Sequence, residues 1–186
     1  MATKIGSIEH ASTLANYKFP KRRTYDWAGK SFWEEQPEKR SPRGFKFLGA
    51  GWSRNAFLGP DGFVYKKPKQ YDGEGGTIKY GIACNKSEAE RFRVMSDSLK
   101  EAGYDKVRLA KCRLFKSVNV LAMEYVQGIK EDWNWTEMNK LNQSHGINGL
   151  YRLGLDDLHT GNAFLDSNGV LVIIDYAESD IFSEDE

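Results

Sequence analysis

Between Gly154 and Tyr176 the sequence GLDDLHTGNAFLDSNGVLVIIDY gathers side chains able to hold a cation and to accept a proton. Asp157 precedes Asn162 by five residues, and Asp175 follows Asn162 by thirteen, at the end of an apolar, β-branched run. The triplet Ser167-Asn168-Gly169 has turn chemistry, so a hairpin is predicted whose second strand folds back along the first. That fold-back returns Asp175 to the loop bearing Asp157 and Asn162. Three hard oxygen donors in one small volume suit Mg²⁺, which binds through a few side chains and completes its shell with water and phosphate oxygens. Phosphoryl transfer also needs a carboxylate that accepts the proton of the attacking hydroxyl. Each residue has a plainer use as well. Asp156 or Asp157 can cap a turn, Asn162 beside Gly161 can be a turn residue, and Asp175 can simply end a strand.

Phosphate chemistry would require further elements upstream. LGAGWSRNAF puts Gly49 and Gly51 between two strands, where backbone N–H groups can approach a phosphate without obstruction by Cβ. Hairpin glycines are common, and a strand rather than a helix follows, so this is no dinucleotide fingerprint. GEGGTIKYG lacks the Gly-Lys-Ser/Thr close of a Walker loop and reads as a flexible loop. FVYKKP alternates: Val64 and Lys66 share one face, Phe63, Tyr65 and Lys67 the other, so one lysine should point under the glycine turn. The run from Asn85 to Gly103 is helical in pattern, with Phe92, Met95 and Leu99 on one face. Glu88 falls on that inward face, where a carboxylate needs a cation. Glu90 fits a capping box with Ser87, although Asn85 and Glu88 have the same spacing.

The elements that must position these groups read as three strands from Phe45, a helix, two strands (KVRLAKCRLFKS and VNVLAMEYV), a polar helical stretch near Trp133 to Leu153, and the final hairpin. Strands and helices are segregated, which predicts an α+β fold rather than a doubly wound parallel sheet. Residues 1–44 are polar and proline-containing, and Trp27, Phe32 and Trp33 predict a partly irregular extension packed on the domain. With 186 residues and a net charge of +1, there is room for one core or two small lobes and no strong nucleic-acid signal. The N-terminal part is basic (Lys18, Lys21, Arg22, Arg23) and the end acidic (Glu178, Asp180, Glu184, Asp185, Glu186). Cys84 and Cys112 have no metal-ligand spacing, and no apolar run approaches the roughly 18 residues of a membrane span. A reduced, cytoplasmic protein is expected.

In the order glycine turn, strand lysine, helix glutamate, MEYV and DLHTGN, the sequence resembles the protein kinase-like superfamily. It is similar in texture to compact bacterial and bacteriophage members, and to the RIO-like and aminoglycoside phosphotransferase branches, whose catalytic loops read D-L-H-x-G-N. The resemblance runs from Phe47 to about Tyr176. It implies a bilobal fold: an N-lobe over residues 45–127 with an antiparallel sheet and one helix, a strongly truncated C-lobe over 128–178, and an acidic tail over 179–186. It implies that Gly49, Ala50, Gly51, Trp52 and Ser53 cover the phosphates of ATP, above Val64. Lys66 would hold the α- and β-phosphates and pair with Glu88. Met123 would be the gatekeeper, with Glu124 and Val126 in the hinge that holds adenine. Asp157 would be the catalytic base, His159 a phosphate-side residue, and Asn162 and Asp175 the Mg²⁺ ligands.

The departures bear on the substrate. Leu155 and Asp156 stand where many kinases have His-Arg, and Asp175-Tyr176-Ala177 stands in place of DFG. Arg54 lies near the position of a third loop glycine, and only ten residues follow Tyr176, which leaves little for an activation segment or peptide-binding helices. The expected activity is a magnesium-dependent phosphotransfer from ATP to a protein hydroxyl, on another protein or on this chain. The alternative is a pseudokinase, a nucleotide-binding or interaction module that regulates a partner, with a homodimer or partner covering the truncated lobe. The third reading is an unrelated α+β domain whose acids are turn residues.

Overall fold

The computed structural model describes residues 5–25, 29–70, 77–127, 140, 143–153, 155 and 161–176. In chain order the elements are α1 (Ile8–Asn16), β1 (Lys21–Tyr25), β2 (Ser31–Glu35), β3 (Lys46–Ala50), β4 (Arg54–Leu58), β5 (Phe63–Pro68), α2 (Thr77–Glu101), β6 (Val107–Leu109), β7 (Cys112–Phe115), β8 (Val120–Glu124), α3 (Ile147–Arg152), β9 (Ala163–Leu165) and β10 (Leu171–Ile173). This is a mixed α+β architecture built mainly on antiparallel strands. Two units divide it: Met1–Lys86 with Cys112–Tyr125, and Ser87–Lys111 with Val126–Glu186. Among the described residues no helix is long and apolar enough to cross a membrane.

The first unit centres on a five-stranded sheet of order β3-β4-β5-β8-β7, with every neighbouring pair antiparallel. GPDG makes the β4–β5 turn: Gly59 N–H donates to Phe63 O at 2.8 Å, and Gly62 takes φ +81°, a conformation glycine adopts without a Cβ penalty. Period-two alternation gives the sheet two distinct faces. Phe57, Tyr65 and Ala122 occupy one of them in a cross-strand row, joined by Val120 and Phe115, and all are buried. Helix α1 lays Ala11 and Leu14, both 0% exposed, on this face, and Phe19 stacks on Phe57 with ring centroids 5.5 Å apart. Full burial of a side chain such as Leu14 or Phe57 is worth about 1.5–3 kcal/mol. Ser7 starts α1 by accepting the His10 N–H at 3.1 Å on its hydroxyl.

Residues 1–44 therefore hold more regular structure than the sequence predicts. Besides α1 they form the β1–β2 hairpin, paired from Lys21↔Glu35 to Tyr25↔Ser31 as a sheet of its own. The helix pattern was weak because only Ala11 and Leu14 of α1 need burial, and one covered face of a sheet suffices to hold them.

Helix α2 begins at Thr77, so the GEGGTIKYG segment is helical from its threonine onward rather than a loop; Tyr71–Gly76 lie outside the described residues. Both predicted capping boxes fall with this start, since Asn85, Ser87, Glu88 and Glu90 are interior. Gly81 was misread as a loop signal but has a packing reason. A Cβ there would sit 2.5 Å from Ser53 O and 2.8 Å from Pro68 Cα, both backbone atoms, so only glycine lets the helix approach so closely. The buried stripe runs Gly81, Asn85, Glu88, Met95, Leu99, in steps of three, four or seven.

KVRLAKCRLFKS is two strands rather than one, because its halves join different sheets. β7 edges the five-stranded sheet, whereas β6 enters the three-stranded sheet β6-β10-β9 of the second unit. There β6 and β10 are parallel, and β9 and β10 antiparallel. Of the predicted helical stretch near Trp133 to Leu153, residues 140, 143–145 and α3 are helical, and residues 128–139 and 141–142 lie outside the described set.

Candidate functional site

The glycine turn links β3 and β4. Gly49 pairs with Ala56 and Ala50 with Asn55, and Gly51 N–H donates to Arg54 O at 2.9 Å, which closes the turn around Trp52 and Ser53. Trp52 projects 82% exposed at its tip, and Ser53 is buried. Neither Gly49 nor Gly51 takes a positive φ. Among the described residues, a Cβ on Gly49 would meet nothing within 4 Å, and one on Gly51 only Arg54 O at 3.8 Å. Backbone conformation and packing thus leave both positions open to a side chain, and both are bare.

Lys66 sits beside this turn in the same unit. The register aligns Ala56, Lys66, Leu121 and Leu114 across four strands, with Leu58, Val64, Met123 and Cys112 as the next row on that face. One sheet face therefore carries the lysine, Val64 and Met123; Glu124, opposite Phe63, ends β8 on the other face, and the exposed Tyr125 follows. Val126 begins the chain's return to the second unit.

The neighbouring Lys67 is accounted for on the opposite face. Its Nζ lies 3.1 Å from each carboxylate oxygen of Glu35 and 4.7 Å from the centroid of the Phe19 ring, and it is 2% exposed. Burial holds its pKa below the ordinary lysine value, while the Glu35 charge and hydrogen bonds push the other way. This partner settles which lysine of FVYKKP is left for the glycine-turn face.

Asn85 fastens α2 to that face. It is 0% exposed; its Nδ2 donates to Lys66 O at 3.0 Å and to Asn119 O at 2.8 Å, and Arg54 Nη1 donates to its Oδ1 at 3.3 Å. Three bonds satisfy the amide in the interior and bind helix, strand and turn together. Sequence reasoning missed this residue by reading it as a cap; a polar residue on the apolar stripe of the helix was the available signal. Glu88, one turn further, is 0% exposed on the inward stripe as predicted, whereas Glu90 is exposed. Glu88 belongs to the second unit and Lys66 to the first.

In the second unit the predicted hairpin forms. Leu171 pairs with Leu165 and Ile173 with Ala163, and Ile174 N–H donates to Asn162 O at 2.7 Å. That register returns Asp175 to the level of Gly161 and Asn162. Asp166 builds the turn: its Oδ1 accepts from Asn168 N at 2.9 Å and Val170 N at 3.1 Å, with Gly169 at φ +72°. Asn162 is 8% exposed. Tyr176 is buried and donates its hydroxyl to Ala110 O at 2.7 Å, which anchors the chain just beyond Asp175 to the end of β6. Asp157 and His159 lie outside the described residues; Leu155, just before them, is buried at 3%. An amide oxygen and a carboxylate are hard donors, so the pair Asn162 and Asp175 fits a small divalent cation such as Mg²⁺.

No protein-family model matches the chain, and comparison with curated proteins finds no match.

Proposed function

We propose that this protein is a minimal kinase-like phosphotransferase that moves the γ-phosphoryl group of ATP to a protein hydroxyl, on another protein or on itself. The observation that carries the reading is the bare glycine turn beside Lys66: two glycines that neither φ nor packing requires, on a sheet face that also bears Val64 and Met123. A nucleotide would use all of these features at once. Its phosphates would lie against the glycine turn of residues 49–53 and the Lys66 ammonium, and adenine against Val64 and Met123, hydrogen-bonded to the Glu124–Val126 backbone.

In this reading residues 45–127 are the N-lobe, which carries Lys66 and Glu88, and residues 128–178 are the truncated C-lobe. Asn162 and Asp175 would hold Mg²⁺, whose chemistry there would be to offset charge on phosphate oxygens. Asp157 accepts the proton of the attacking hydroxyl, and His159 flanks the phosphates. Positioning and electrostatics supply most of the catalysis in such reactions, so the fastening of Lys66 by Asn85 matters as much as the lysine itself.

The test is thermal unfolding with and without Mg-ATP. The wild type should gain stability as RT ln(1 + [L]/Kd), about 2.7 kcal/mol at a hundredfold excess over Kd, and Asp175→Ala should lose most of that gain. A wild-type protein whose unfolding ignores Mg-ATP rules out the nucleotide site. Binding without transfer of label would assign the chain to the pseudokinase alternative.

A further inference from the structure

Strand β5 is held unequally along its length. From Val64 to Lys66 it pairs with β4 on one side and β8 on the other, the last β8 partner being Leu121 opposite Lys66. Lys67 and Pro68 pair with β4 alone, and a proline donates no hydrogen bond. The lysine assigned to the phosphates is therefore the last residue before the strand loses half of its backbone support. Side chains fasten this end instead. On the glycine-turn face Asn85 holds Lys66 O at 3.0 Å. On the other, Glu35 grips Lys67 Nζ with both oxygens at 3.1 Å, over the Phe19 ring.

Glu35 ends a two-stranded hairpin that has no strand pairing to the five-stranded sheet. Most of the hairpin is exposed, but Glu35 and the following Gln36 are buried at 8% and 4%. Gln36 N–H donates to Pro20 O at 2.7 Å, which squares the hairpin base next to Phe19. A buried ion pair is a poor source of stability, because desolvation offsets most of its attraction and apolar replacements often do as well. Its distinctive property is geometric: two directional charge-assisted bonds fix where the Lys67 ammonium and the backbone behind it sit.

We propose that Glu35 is a positioning residue for Lys66, acting through Lys67, so that the N-terminal segment sets the nucleotide affinity from behind the sheet. This rests on the phosphotransferase reading for its ligand, but not for its structural content. Turning the Lys66–Lys67 peptide by a few degrees moves the Lys66 ammonium away from the phosphates, and an unlatched strand end samples such turns.

The experiment uses full-length wild type, Glu35→Gln, the double variant Glu35→Leu/Lys67→Met, and Arg22→Ala as a control that breaks only the exposed Arg22–Glu34 pair of the same hairpin. Mg-ATP affinity by calorimetry and amide hydrogen exchange over residues 63–68 are measured at a temperature where circular dichroism shows each protein folded. The double variant should unfold near the wild-type temperature yet bind Mg-ATP at least about tenfold more weakly, and exchange faster at Lys66 and Lys67 than at Val64 and Tyr65. Glu35→Gln should fall between them, and Arg22→Ala should match wild type. A purely packing role predicts the opposite: the apolar pair restores affinity and exchange together with stability, and that result overturns the proposal. If wild type does not bind Mg-ATP, the phosphotransferase reading fails, and the exchange data alone decide the latch, unchanged protection at Lys66 and Lys67 refuting it.

Discussion

Replacing Tyr65 by phenylalanine removes one oxygen from the centre of the first unit, and both the size and the pH dependence of the effect can be worked out. The Tyr65 ring is 0% exposed; its hydroxyl donates to Asp61 Oδ2 at 2.7 Å and accepts the Ser7 N–H at 2.8 Å. His10 Nδ1 lies 3.0 Å from the same Asp61 oxygen. A hydrogen bond to a charged group contributes about 1.5–3 kcal/mol, and the Ser7 N–H left without its acceptor adds to the loss, so Tyr65→Phe should cost about 2–4 kcal/mol at pH 7. Burial, and then the hydrogen bond to Asp61, push the Tyr65 pKa from 10.0 to about 12. A pKa raised on folding means that the phenol's contribution is complete below pH 10 and is lost as pH rises from 10 towards 12. Two pKa units correspond to at most about 2.7 kcal/mol, reduced by solvent at the partly exposed Asp61 end. Urea unfolding of both proteins between pH 7 and 11.5 reads this directly. The stability gap should be widest below pH 10 and narrow by about 1–2 kcal/mol by pH 11.5. Lys67, whose lowered pKa acts in the opposite direction, is present in both proteins and cancels in the difference. A gap that stays constant with pH would refute the buried Tyr65–Asp61 hydrogen bond.

Asn85→Ala should lower stability by about 2–4 kcal/mol in a urea titration, because it removes the buried amide that bonds Lys66 O, Asn119 O and Arg54. Gly81→Ala gains roughly 1 kcal/mol of helix propensity, but its Cβ meets the backbone of Ser53 and Pro68, which costs about 1–3 kcal/mol, so a net loss is expected by thermal unfolding. Gly49→Ala should be neutral or stabilising by up to about 1 kcal/mol, since its Cβ points into open space, yet should weaken Mg-ATP binding measured by calorimetry.

Much of the site was legible because its elements obey short-range rules. The β4–β5 turn follows from GPDG, the β9–β10 hairpin from SNG, and the return of Asp175 to Asn162 from counting along that hairpin. The inward stripe with Glu88, Met95 and Leu99 follows from a period of 3.6. What stayed hidden depends on partners distant in sequence. Nothing near Lys67 announces Glu35, 32 residues away, so alternation alone could not say which lysine lies on the glycine-turn face. Gly81 and Asn85 look like loop and cap residues until the strand packed against them is known. The split of KVRLAKCRLFKS reflects two sheets competing for one segment, which local propensity cannot register.

The central claim is phosphoryl transfer, and incubation with Mg-ATP labelled on its γ-phosphate tests it most directly. The account predicts label leaving ATP, onto protein or as free phosphate, in the wild type and not in Asp157→Ala. It is contradicted if wild-type protein that is folded and bound to Mg-ATP releases no label, or if Asp157→Ala releases it at the wild-type rate.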